Sequence, residues 1–77
     1  MMTATEMRAY LVELLAGAAG GDPARWDRCV GRVAWHPLGA NPHPNWSIAP
    51  TGTRKEIDAI RQAEALVRDH HRFVIGD

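Results

Sequence analysis

The residues predict an α+β fold. Two amphipathic helices, over about 4–18 and 54–70, pack on a small antiparallel layer of two strands, about 29–35 and 46–49, with a short helix or turn near 23–28. Three observations lead there. Thr3 with Glu6, and Thr53 with Glu56, stand at capping-box spacing ahead of apolar residues recurring at steps of three and four. Residues 29–36 alternate in the two-residue period of a strand. Between the strand candidates lies a stretch that no helix or sheet ladder can cross, because it carries Pro37, Gly39, Pro42 and Pro44.

In the first helix Met7, Tyr10, Leu11, Leu14, Leu15 and Ala18 form the apolar stripe, and Arg8 and Glu13 fall away from it. The helix should stop between Gly17 and the pair Gly20-Gly21, which accept positive φ cheaply. Asp22-Pro23 is a second start, since Asp caps a first turn and Pro at the first helical position loses an N–H that had no partner. Cys29, Gly31, Val33 and Trp35 then share one side of the expected first strand. Trp46 and Ile48 share one side of the second, which Pro50 closes.

The last helix buries Ile57, Ala59, Ile60, Ala63, Leu66 and Val67, and Glu64 precedes Arg68 in the favourable order for an ion pair on a solvated side. Phe73-Val74-Ile75 is too apolar to trail in solvent and should dock on the core, either as more helix or as an extended tail.

At 77 residues the chain fits one domain, 1–77, with a thin margin of stability, because chains this short bury only about 60% of their unfolded surface. A composition of 45% hydrophobic and 23% charged residues separates it from disordered segments. Basic and acidic residues balance at nine each, so no net field draws the whole molecule to nucleic acid or an anionic membrane. The N-terminus lacks the basic and apolar runs of a secretory signal, no stretch has the length of a membrane span, and one cysteine cannot form an internal disulfide. A cytoplasmic protein is expected. Every basic residue but Lys55 is an arginine, and alanines abound, which points to a GC-rich bacterial coding sequence.

Catalytic and metal chemistry find little support. Cys29, His36 and His43 stand seven apart, with His70-His71 far downstream, whereas structural zinc sites bring ligands in close pairs. No metal and no cofactor is expected, although a metal-stabilised module remains an alternative. Nothing in the sequence places a base beside Cys29, Ser47 lacks the glycine-flanked turn of a nucleophile, and the glycines follow a helix rather than opening one after a strand.

Binding is the better expectation. Trp26, Trp35 and Trp46 are many for so short a chain, and tryptophan both fills small cores and anchors interfaces. Trp35 and Trp46 flank the proline-rich loop, whose stiffness lowers the cost of association. No acidic residue occurs over 28–55, where Arg28, Arg32, Arg54 and Lys55 make the chain locally basic. The partner-binding candidates are therefore Trp35, Trp46, Arg32, His36, His43, Arg54 and Lys55. The expected function is a small non-catalytic protein-binding or regulatory module, of the kind a bacterial mobile element or phage encodes as a stoichiometric inhibitor of a larger protein. The alternative is nucleic-acid association through the basic middle segment, and a homodimer would relieve the thin core.

Overall fold

The computed structural model describes residues 1–39 and 44–76. In chain order these form β1 (Met2–Thr3), α1 (Ala4–Ala19), α2 (Pro23–Val30), β2 (Ala34–Trp35), β3 (Trp46–Ser47), α3 (Arg54–His70) and β4 (Val74–Ile75). The helices pack with two short ribbons. One is parallel, with Met2 opposite Val74 and Thr3 opposite Ile75; the other is antiparallel, with Ala34 opposite Ser47 and Trp35 opposite Trp46.

Both long helices start on the capping boxes their sequences carry. The Thr3 hydroxyl accepts from the Glu6 N–H at 3.1 Å and the Glu6 carboxylate accepts from the Thr3 N–H at 3.0 Å, and Thr53 and Glu56 repeat the exchange. Helix α1 ends at Gly20, whose φ of 77° suits glycine. It contributes Ala4, Met7, Leu11, Val12 and Leu15 to the core and lies against both α2 and α3. Tyr10, expected on the buried stripe, instead meets the His71 ring edge-on at 5.3 Å between centroids on the surface.

The expected strand over 29–35 is corrected at its start: Cys29 and Val30 are the last turn of α2. Trp26, Cys29 and Val30 stand at i, i+3 and i+4, so one helical face buries all three, and a cap by Asp22 with Pro23 behind it starts the helix firmly enough to include them. Gly31, at φ 67°, turns the chain out of the helix, and only Ala34–Trp35 enters a ribbon. The second strand is likewise shorter than 46–49, covering Trp46–Ser47, although Ile48 remains buried.

Helix α3 runs over the expected span, with two corrections to its faces. Leu66 is 61% exposed rather than buried, and Glu64 is 4% exposed rather than solvated. The buried line is Ile60, Ala63, Glu64 and Val67, rotated away from Leu66. The buried Glu64 carboxylate is tolerated because two guanidiniums flank it, Arg61 at 2.9 Å and Arg68 at 3.0 Å. Arg68 also lies 5.3 Å from the centroid of the Trp46 ring and donates to the Trp46 carbonyl, while Arg61 reaches the Ile48 carbonyl, so this cluster ties the second strand to α3.

The apolar C-terminal tail docks as expected, extended rather than helical, with Val74 fully buried beside β1. Trp26 and Trp46 are core residues whose indole N–H groups are satisfied by the carbonyls of Gly20 at 2.8 Å and His71 at 2.9 Å. Covering one such ring removes on the order of 150–250 Å² from water, a contribution of about 4–6 kcal/mol at most. Two indoles thus stand in for the larger core that a chain of this length lacks.

Candidate functional site

Gly31 closes α2, and Val33, buried behind it, anchors the segment that leads into β2. Arg32 and Trp35 stand on the outside of that anchor. Together with Ala4, Thr5 and Arg8 at the start of α1, and with Val33, they line a depression of about 330 Å³. Its lining combines the apolar Ala4 and Val33 with Thr5, the Trp35 indole and two arginines, and more of it is polar than apolar.

Trp35 is 40% exposed, unlike the other two tryptophans. Its ring is nevertheless held. A Cβ added at Gly76 would overlap the six-membered part of the Trp35 indole, so the absence of a side chain at 76 gives the ring its seat against the backbone after β4. No hydrogen bond engages the Trp35 indole N–H among the described residues.

The two arginines differ in charge balance. Arg8 is bound to Asp27, with Nε 2.9 Å from Oδ1 and Nη2 donating at 3.1 Å both to Oδ2 and to the Asp27 carbonyl. Arg32 is exposed, and no hydrogen bond or ion pair holds it among the described residues. Among the described residues the depression therefore presents one arginine without a partner beside the Trp35 indole. Among the described residues its lining side chains include a hydroxyl, an indole and two guanidiniums.

Of the seven residues singled out from sequence, the fold brings Arg32 and Trp35 to this depression. Trp46, named as a partner-binding candidate, is only 2% exposed and belongs to the core, because α3 and the tail close over it. His36 is exposed beside β2, and its backbone is fixed on both sides by Asn45, which accepts from its N–H at 2.8 Å and donates to its carbonyl at 2.7 Å. Arg54 and Lys55 are exposed in the first turn of α3 and do not line the depression. His43 lies outside the described residues. Arg8 and Thr5 were missed, since a polar residue off a helical stripe carries no signal that a distant loop will close beside it.

Cys29 is buried in α2, and burial pushes its thiol above the ordinary range, which lowers the thiolate fraction. Among the described residues no group of three or more His, Cys, Asp or Glu side chains could hold a metal ion, and no helix is long and apolar enough to cross a membrane.

A second surface lies between α1 and α3, where Leu14, Ala18, Ala59 and Leu66 border a shallow apolar groove of about 210 Å³. Compared with protein-family models, curated proteins and solved structures, the chain gives no match.

Proposed function

We propose that this chain is a small non-catalytic module that binds a larger protein through the depression at Trp35 and acts stoichiometrically on it, as an inhibitor or regulator. The observation that supports this reading is the pairing, in one depression, of a seated, 40% exposed indole with an exposed arginine that has no partner among the described residues. Tryptophan and arginine are the residue types most enriched among interface hot spots, and an indole already fixed by its backbone seat loses little freedom on association. A route through nucleic acid fits less well, because a strand of phosphates needs a row of free cations, and Arg54 and Lys55 do not line the depression with Arg32.

The test is affinity capture from the native host with three tagged baits: the unaltered chain, Trp35→Ala and Leu66→Ser. The reading expects a protein retained by the first and third baits and lost with Trp35→Ala, with each bait shown folded by circular dichroism. Retention of the same protein by Trp35→Ala, or capture dominated by nucleic acid and abolished by moderate salt, overturns it.

A further inference from the structure

Three features of the depression bear on what it accepts. The first is charge. Asp27 neutralises Arg8, so among the described residues of the lining Arg32 is the guanidinium left to meet an anion. The second is size: the depression has a volume of about 330 Å³, room for a side chain. The third is the apolar surface beside that charge, since the exposed Trp35 ring, Ala4 and Val33 line the same depression. A guanidinium can engage a carboxylate or a phosphate through two N–H groups, but a single positive charge balances a carboxylate in full and a phosphate dianion only in part.

We propose that the depression takes a single carboxylate carried next to an apolar side chain, so that the partner presents an acidic-apolar segment to Arg32 and Trp35. This deepens the docking reading above and rests on it. Arg32 supplies the charge match, Trp35 with Ala4 and Val33 takes the neighbouring aliphatic group, and Asp27 keeps Arg8 from competing for the anion.

The test is an NMR titration of the isotope-labelled chain with three capped tripeptides, acetyl-Leu-Asp-Leu-amide, its Asn counterpart and its phosphoserine counterpart. Signals of the Trp35 indole N–H, the Val33 amide and the Arg32 side chain report the site. The Asp peptide is expected to bind about two- to fivefold more tightly than the Asn peptide, the range of an exposed charge pair. That preference should fade with added salt and vanish in Arg32→Gln, and the phosphoserine peptide should bind no more tightly than the Asp one. Equal binding of the Asp and Asn peptides, clearly tighter binding of the phosphoserine peptide, or shifts confined to other surfaces overturns the proposal. Partner capture separates the two levels. If Trp35→Ala loses the partner while Arg32→Gln keeps it with unchanged salt dependence, the carboxylate proposal fails and the docking reading stands. If Trp35→Ala keeps the partner, the docking reading fails.

Discussion

Replacing Asn45 by alanine should destabilise the chain more than any other change to a single polar side chain. Asn45 is 1% exposed and makes three side-chain hydrogen bonds: its amide donates to the carbonyls of His36 and Val74, each at 2.7 Å, and its carbonyl accepts from the Val74 N–H at 2.8 Å. These join the end of β2, the start of β3 and β4, three segments whose ribbons are each only two residues long. Truncation leaves a buried donor and two carbonyls without their partner, and at about 1–1.5 kcal/mol for each bond the loss is about 3–4 kcal/mol. Total stability for a chain of this length is about 4–12 kcal/mol, so the loss is a large share of it. In urea, with a slope near 1 kcal/mol per molar for so small a protein, the midpoint should fall by about 3 M. Asn45→Asp adds a sign test, because a carboxylate facing two carbonyls is unfavourable and its protonated form can still donate one bond. Its stability relative to the unaltered chain should therefore recover as the pH falls toward about 4, where the carboxyl is protonated in the fold, and change no further below that. A loss under about 1 kcal/mol for Asn45→Ala, at unchanged slope, would refute the reasoning.

Three further outcomes follow from local geometry. Gly52→Ala should cost about 1–3 kcal/mol in chemical denaturation, because Gly52 has φ 116° and an added Cβ would lie 2.7 Å from the Glu56 carboxylate and 2.9 Å from the Cys29 sulfur. Glu56 is held down at about 2 by its hydrogen bonds from Arg25, helped by the Thr53 N–H. This depressed carboxylate contributes stability that is present above its ordinary range near 4.5 and lost as the pH falls towards 2. Arg25→Gln should accordingly flatten the stability profile over that window, and an unchanged acid limb would count against the ion pair. Gly76→Ala should shift the exposed Trp35 ring with little loss of stability and weaken partner capture in the same direction as Trp35→Ala; capture at full strength would show that the seat of the indole is immaterial.

The elements that were legible in the sequence are those set by neighbours in the chain. Thr3, Glu6, Thr53 and Glu56 announce the helix starts because a capping box closes within four residues, and Asp22-Pro23 does the same for α2. The start of the strand layer was misplaced because Cys29 and Val30 satisfy both an alternating pattern and, with Trp26, a helical one; a firm cap upstream decides for the helix. The pairing of β1 with β4 joins opposite ends of the chain, and no local pattern encodes it. Glu64 reads as a solvated charge until Arg61 and Arg68 are seen to flank it under the loop after β3. At the candidate site, Arg32 and Trp35 were visible as residue types, but Arg8 was not. Nothing in the composition distinguishes the covered Trp46 from the open Trp35, since that depends on where α3 and the tail lie.

The division among the three indoles supports the functional reading, and it can be measured in the free protein by hydrogen exchange of the indole N–H groups. Trp26 and Trp46 donate to Gly20 and His71 and should exchange slowly, whereas Trp35 should exchange within the dead time. Protection of Trp35 in the isolated chain, or rapid exchange at Trp46, would contradict the account, because the residue offered to a partner would then be part of the core or the core indole would be open to solvent.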